Sequence, residues 1–276
     1  MTTTASLAFI GGGNMAGALI NGLIDDGTSP DRITVAEPDA QRREQLAARF
    51  GIHTTEDNSS AVMSADIVVL AVKPQVLKEV ASSLAPALAQ GHPLCISIAA
   101  GIRHAALQDW LGDGIPLVRA MPNTPAMLQA GATGLYAPES VLEAQRNAAE
   151  HVMRSVGIVV WVEDEALMDV VTAASGSGPA YFFLFMEAME QAAVDMGLPA
   201  EAARLLVRQT ALGATRMALE SDLDLATLRR GVTSPGGTTE RAIRQFEEKG
   251  LRALVDDAMK AACERSRELS EELEKA

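Results

Sequence analysis

The amino-acid sequence predicts an α/β domain followed by an all-α domain. Three observations lead to that class. Short apolar runs of strand length alternate with helix-patterned stretches as far as residue 162. A glycine-rich turn joins the first of these runs directly to a helix. From Asp164 onward the apolar period is helical almost throughout.

The first run, Leu7-Ala8-Phe9-Ile10, enters Gly11-Gly12-Gly13-Asn14-Met15-Ala16. In that turn Gly11 allows the tight bend, Gly13 lets backbone approach a pyrophosphate, and Ala16 lets the helix pack closely on the strand. The helix start presents free N–H groups and the positive end of its dipole to an anion. A turn of this kind at the end of a buried-type strand marks a Rossmann dinucleotide-binding domain. The next strand, Ile33-Thr34-Val35-Ala36, closes on Glu37, 24 residues beyond Gly13. An acid near that spacing accepts hydrogen bonds from ribose hydroxyls and repels a 2′-phosphate, which favours NADH. Arg42 and Arg43 follow one turn later and point toward NADPH. All three also fit a solvated helix start.

Further strand patterns lie at 66–72, 94–98 and 117–121, with helical runs such as 41–50 and 76–89 between them. Such alternation predicts βαβ units, a parallel sheet and right-handed crossovers, with ligands outside the carboxyl ends of the strands. The last strand pattern is Gly157 to Val162. The boundary is therefore placed near residue 163: 1–163 form the dinucleotide-binding domain and 164–276 a helical domain for dimerisation and substrate binding. No Pro-, Gly- or Ser-rich linker separates them. Leu184, Met186, Met189 and Ala193 recur at helical spacing, as do Leu205, Leu206 and Leu212, and read as packing residues. Apolar stripes of this extent predict that the helical domain packs on a copy of itself. The Glu-rich end, Glu268 to Lys275, reads as a solvated, fraying terminus.

Composition narrows the function. Lys plus Arg is 23 and Asp plus Glu is 36, a net charge of −13, which disfavours nucleic acid and acidic membrane surfaces as partners. Cys95 and Cys263 are too few for a disulfide framework, and the four histidines form no ligand cluster, so no metal site is expected. No apolar run reaches spanning length and no signal-type start is present, so the chain reads as soluble and cytoplasmic.

Chemistry is sought at the strand ends. Ala71-Val72-Lys73-Pro74 places a lysine at a strand's carboxyl end, before a proline suited to the first position of a helix. Ile98-Ala99-Ala100 is small enough to admit a flat nicotinamide ring. Met121-Pro122-Asn123-Thr124-Pro125 stiffens a loop around the Asn123 amide. In the helical half, Thr233-Ser234-Pro235-Gly236-Gly237-Thr238-Thr239 opens a helix from 240 to 248. A loop so rich in hydroxyls and glycine makes a cradle for a small anion such as a carboxylate. A simple N-cap by Thr238 or Thr239 is the plainer alternative. Ser175-Gly176-Ser177-Gly178-Pro179-Ala180-Tyr181 breaks the helical pattern with two glycines and a proline and marks a second ligand surface.

Gly-Gly-Gly-Asn-Met-Ala at 11–16, Val-Lys-Pro-Gln at 72–75 and Met-Pro-Asn-Thr-Pro at 121–125 occur in one chain with Ser-Gly-Ser-Gly-Pro-Ala-Tyr at 175–181 and Thr-Ser-Pro-Gly-Gly-Thr-Thr at 233–239. In order and spacing these segments resemble pyrroline-5-carboxylate reductase over nearly the whole chain. The resemblance implies NADPH- or NADH-dependent reduction of the cyclic imine 1-pyrroline-5-carboxylate to L-proline, the last step of proline biosynthesis. It also implies a homodimer built on the helical domain, a substrate site at the dimer interface, and larger rings, often decamers. Carried over by position, Ile10, Gly11, Gly12, Gly13, Asn14, Met15, Asn58, Ala71, Val72, Lys73, Pro74, Ile98, Ala99 and Ala100 would contact the dinucleotide; Glu37 and Asn123 join them on the reading above. Ser234, Gly237, Thr238 and Thr239 would hold the substrate carboxylate. Asp222 falls where the family places an acid near the ring nitrogen, as Asp rather than the longer Glu. Thr172, one turn before the Ser-Gly-Ser-Gly segment, lies near the imine. Glu37 departs from the short polar residue of NADPH-preferring members.

Two other readings compete. A Rossmann reductase of β-hydroxy acids relies on a lysine in the helical domain, and Met168 to Val194 contains none. A dinucleotide-sensing regulator needs the first turn but not the anion cradle.

Overall fold

The computed structural model describes residues 5–275. Eight strands form one sheet in the order β3-β2-β1-β4-β5-β6-β7-β8. These are β1 (Leu7–Ile10), β2 (Ile33–Ala36), β3 (His53–Thr55), β4 (Ile67–Leu70), β5 (Leu94–Ser97), β6 (Leu117–Met121), β7 (Gly131–Tyr136) and β8 (Gly157–Trp161). Strands β1 to β6 are all parallel, and the order reverses between β1 and β4. That reversal opens the crevice in which doubly wound sheets bind ligands.

The sequence pattern predicts a parallel sheet throughout, but the observed sheet is parallel only as far as β6. Strand β7 runs antiparallel to β6, and β8 then runs parallel to β7. A parallel return needs a crossover of a dozen or more residues, and the segment between Met121 and Gly131 is too short for one. Strands β3 and β7 carry weak sequence signals: His53-Thr54-Thr55 has no apolar residue, and β7 holds two glycines. Gly134 leaves room for the side chain of Val171, whose Cγ1 would lie 2.6 Å from a Cβ at that position.

Helices α1 (Asn14–Asp25), α2 (Ala40–Phe50), α3 (Asn58–Met63), α4 (Pro74–Gly91), α5 (His104–Leu111) and α6 (Glu143–Arg154) cover the sheet. Both faces carry a buried core. One includes Phe9, Leu19, Ile20, Val35 and Val69, the other Ile10, Leu70, Leu77, Leu84 and Leu107. Parallel strands buried on both faces read as continuous apolar runs, which is why β1, β4 and β5 are legible from sequence.

The remaining helices are α7 (Leu167–Val171), α8 (Gly178–Asp195), α9 (Ala200–Glu220), α10 (Leu225–Gly231), α11 (Thr238–Glu248) and α12 (Leu251–Lys275). The chain forms two compact units. One contains the residues up to Ser177 together with those from Ala262, and the other is Gly178–Ala261. The first unit therefore extends beyond the change of sequence pattern near residue 163, because α7 packs on β7 and the end of α12 returns to the same body. The terminus is correspondingly not a fraying one. Ser266 and Ser270 are buried, Ser266 Oγ donates to Asp169 Oδ1 at 2.7 Å, and Leu273 packs against the core. No helix of the described residues is long and apolar enough to cross a membrane.

Candidate active site

The glycine turn is built around one carboxylate. Gly11 adopts φ +98°, and a Cβ there would meet the carbonyl oxygen of Ala71 at 2.8 Å. At Gly12 a Cβ would lie 2.6 Å from Leu46 Cδ1 and 3.3 Å from Glu37 Oε2. Nothing stands within 4 Å of a Cβ at Gly13, which caps α1 without any side-chain cap bond. The first backbone bond closing α1 runs from Gly17 N–H to Gly13 C=O at 2.9 Å. The N–H groups of Asn14, Met15 and Ala16 precede it and point to the anion position of such turns. A cleft of about 390 Å³ opens here between α1 and α2, lined by Gly12, Gly13, Asn14 and Arg42 among others.

Glu37 is buried. Its Oε2 accepts the Gly12 N–H at 2.9 Å and its Oε1 accepts the Asp39 N–H at 3.1 Å. Arg43 is committed to the same corner: it donates to the carbonyls of Glu37 and Pro38 and pairs with Glu56 at 3.5 Å. The Arg42 side chain has no partner among the described residues and faces the cleft.

The other predicted dinucleotide residues lie at strand ends and helix starts, as a Rossmann crevice requires. Ile10 is fully buried and its carbonyl accepts the Ala71 N–H at 2.8 Å, so its side chain belongs to the core. Lys73 caps α4 with Pro74 at the first helical position, and its exposed ammonium makes no ion pair with the described residues. Asn58 opens α3 directly after Asp57, whose carboxylate accepts the Ser59 N–H at 2.9 Å. Ile98, Ala99 and Ala100 follow β5, with Ala99 buried and Ala100 exposed. The Asn123 carboxamide is a bridge: Oδ1 accepts the Ala132 N–H at 2.9 Å and Nδ2 donates to Ser175 C=O at 3.0 Å. The second N–H of that amide has no partner among the described residues.

Ser175 lies in a π-helical turn, 172–176, and the Ser177 N–H closes it on Thr172 C=O at 2.8 Å. Such turns recur at functional sites. Thr172 Oγ1 donates to Met168 C=O at 2.9 Å, and its oxygen accepts no hydrogen bond among the described residues. The Ser-Gly-Ser-Gly-Pro segment breaks the helical run, as expected: the π turn ends at Gly176, Ser177 lies in neither helix and α8 begins at Gly178. The segment closes this turn and starts α8, with Pro179 in the first turn where its missing N–H costs nothing.

In the second unit the cradle is distinct from a side-chain cap. Gly237, not a threonine, is the N-cap of α11, and no side chain caps it. A Cβ at Gly237 would sit 2.9 Å from the Ser234 carbonyl oxygen, so only glycine closes this turn without a shift. Gly236 adopts φ +71° and gives its N–H to Glu240 Oε2 at 2.8 Å. The hydroxyls of Ser234, Thr238 and Thr239 are exposed and unpartnered among the described residues. Asp222 is exposed in the α9–α10 connection, while its neighbour Asp224 caps α10 through the Thr227 N–H. That bond holds the Asp224 carboxyl below its ordinary range and commits it to structure, leaving Asp222 as the unengaged acid.

One buried group escaped the sequence reading. Arg119, on β6, is almost fully buried and pairs with Glu165, which also accepts the His104 backbone N–H. Its signal was a charged residue inside an apolar strand, which rarely occurs without a partner. Among the described residues there is no His, Cys, Asp or Glu cluster able to hold a metal.

Comparison with known proteins bears on what these parts do. A family model described as pyrroline-5-carboxylate reductase dimerisation matches residues 165–269. Another, described as NADP oxidoreductase, coenzyme F420-dependent, matches residues 6–101. The chain is 52% identical to a pyrroline-5-carboxylate reductase of Pseudomonas aeruginosa, over 98% of this chain and 99% of that one. It is 48% identical to one from Vibrio alginolyticus over 95% of this chain and 97% of that protein. The solved pyrroline-5-carboxylate reductase of Coxiella burnetii superposes with a TM-score of 0.94 at 48% identity, covering 97% of this chain and 99% of that one. A Plasmodium falciparum pyrroline carboxylate reductase solved with NADP bound gives 0.85 at 29% identity, covering 98% and 100%. With identity of this degree running through both halves of the chain, it belongs to the pyrroline-5-carboxylate reductase family.

Proposed function

We infer that this chain reduces 1-pyrroline-5-carboxylate to L-proline with NADPH or NADH, the last step of proline biosynthesis. The observation that carries the reading is 52% identity across 98% of the chain to a reductase of that name. The residues present fit a dinucleotide. Three unbonded amides open α1, Gly13 offers no obstruction, and an acid stands at the end of β2. When bound, the reduced dinucleotide supplies the hydride.

The roles of individual residues are our proposal. The turn from Gly11 to Met15 holds the pyrophosphate through the backbone amides of Gly13, Asn14 and Met15, those of Gly11 and Gly12 being bonded to the Ala36 carbonyl and to Glu37, with Ile10 shaping the strand beneath it. Glu37 faces the adenosine ribose. Asn58, Ala71, Val72, Lys73 and Pro74 line the middle of the crevice, and Ile98, Ala99, Ala100 and the remaining N–H of Asn123 border the nicotinamide. Ser234, Thr238 and Thr239 give hydroxyls, and Thr238 and Thr239 give amides, to the substrate carboxylate, while Gly237, whose N–H is bonded to the Ser234 carbonyl at 3.0 Å, closes the turn beneath it. The freedom of the three hydroxyls from other hydrogen bonds among the described residues supports this assignment.

The protein's contribution is positioning and charge. Its residues must hold the imine carbon at roughly 3–3.5 Å from the hydride donor. The carboxylate of Asp222 favours the protonated imine, the more electrophilic form, and Thr172 orients it. With the ring nitrogen held protonated by Asp222, hydride addition at the imine carbon would yield the secondary amine of proline.

We further propose a cytoplasmic homodimer built through residues 164–276 and assembled into larger rings, up to decamers. The dimerisation family model over 165–269 supports the dimer, as do the exposed apolar side chains of α8 and α9, among them Phe182, Phe183, Leu205 and Leu206.

Initial rates of 1-pyrroline-5-carboxylate reduction, with NADH and NADPH side by side, test the reading. Turnover with either establishes the reaction. Folded protein that binds the dinucleotide but reduces nothing returns the β-hydroxy-acid and sensor readings to first place.

A further inference from the structure

Strand β8 is the free edge of the sheet, paired on one side only, with β7. Its side chains alternate between two surroundings. Val159 and Trp161 pack on the α6 side, where Trp161 Nε1 donates to Glu150 Oε2 at 2.7 Å. Ile158 and Val160 point to the opposite face and are 59% and 57% exposed. Register places Val160 beside Gly134 and Ile158 beside Ala132. On that face Val171 of α7 covers Gly134, so the cover ends one strand short of the edge. The outer side of α7 adds Leu167 and Val170, 45% and 43% exposed.

An apolar strand with unpaired backbone groups is a template for other chains, and proteins usually blunt it with charge, proline or cover. Gly157 to Trp161 contains neither a charge nor a proline. Cover is the remaining device. Leu167 and Val170 lie inside the dimerisation family model, which begins at residue 165, and Ile158 and Val160 continue the same face beyond it. A second copy brings the same charge of −13, so the surface where copies meet favours uncharged side chains.

We propose that the dimer contact continues from the helical segment onto the edge strand of the dinucleotide-binding unit, where a second copy covers Ile158 and Val160 together with Leu167 and Val170. The proposal rests on the dimer reading above, and the two are tested by different measurements.

Sedimentation reads the dimer, and thiol labelling reads the strand. Ile158→Cys and, as an exposed control, Leu142→Cys are treated with a maleimide and the labelled peptides are located by mass. Cys95 is silent in this assay, since burial pushes its thiol up to about 12, and Cys263 serves as an internal reference. In dimeric samples the thiol at position 158 should react at least tenfold more slowly than that at 142, and the rates should converge on dilution to monomer. Equal rates in a sample that sediments as a dimer overturn the proposal, and so does protection that persists in the monomer. A chain that is monomeric at every concentration removes the dimer reading, and the proposal with it. As a second variant, Val160→Lys should raise the dimer dissociation constant at least tenfold while NADH binding, followed by titration, stays unchanged. An unaltered dissociation constant in that folded variant also overturns the proposal.

Discussion

The carboxylate of Glu37 is bonded to the backbone of the turn it faces: its Oε2 accepts the N–H of Gly12 at 2.9 Å across 25 residues of sequence. The acid at the end of β2 thereby helps to set the shape of the glycine turn and places its carboxylate directly against it. Its other oxygen takes the Asp39 N–H, so the carboxylate has one fixed orientation.

Gly12 and Gly13 should therefore respond differently to substitution. Gly12→Ala forces a Cβ to within 2.6 Å of Leu46 Cδ1, and overpacking of this kind costs about 1–3 kcal/mol. Its melting temperature should fall together with dinucleotide affinity. Gly13→Val adds atoms to open space, so the fold should survive while dinucleotide binding is lost. Thermal melts and NADH titration of both variants check this. Retained binding in Gly13→Val would show that the opening turn is only a turn.

Cofactor choice should follow Glu37. Glu37→Ser removes the carboxylate behind the glycine turn and leaves Arg42 and Arg49 as charged groups lining the cleft. The ratio of kcat/KM for NADPH to that for NADH should rise by roughly tenfold, equivalent to about 1.4 kcal/mol. Arg42→Ala should move the same ratio the other way. Arg43 should matter little for choice, since its guanidinium is committed to two carbonyls and Glu56.

Thr239→Ala should raise the substrate KM by about tenfold or more, the loss expected for one hydrogen bond to a charged group. The cofactor KM should stay nearly constant, because the cradle and the glycine turn lie in different units. Steady-state kinetics with each substrate varied in turn decides it, and an unchanged substrate KM would remove Thr239 from the site.

Stability should fall on mild acidification because of His104. Burial lowers its pKa from the ordinary 6.5, opposed by Glu165, and its Nε2 is buried without a partner. The unfolded chain then binds the proton more readily than the folded one. The contribution is complete above about 6.5 and is lost as pH falls through the folded value. Melting temperatures measured between pH 7.5 and 5.5 should drop less for His104→Gln than for the wild type. Parallel curves would exclude His104 as the cause.

Much of this was legible in the sequence because the signals are short-range. The apolar runs at 7–10, 67–70 and 94–97 are buried on both faces, so each residue carries the mark of its strand. Gly11 and Pro74 name their local backbone states by chemistry, φ +98° in one case and a first helical turn in the other. The candidate site segments stand out in the sequence for the same reason: they fall at strand ends and helix starts, where turn residues accumulate. Strand β7 was not legible, because Gly134 makes room for the side chain of Val171 and Gly131 for the Val156 carbonyl and Ala126, none of which adjoins them in sequence. Nor was the ending of α12, whose Glu-rich surface conceals Ser266, Ser270 and Leu273 on one packed stripe.

By itself, then, the sequence determined the class of each half and the family. Tertiary structure alone decided that β7 turns back on β6, that Glu37 closes on Gly12, that Asn123 bridges Ala132 and Ser175, and that Ser266 meets Asp169 across 97 residues. Periodicity and turn chemistry are properties of neighbouring residues and are written in their order. A hydrogen-bond partner or a strand's direction depends on which distant segment is brought alongside, and only the folded chain specifies that.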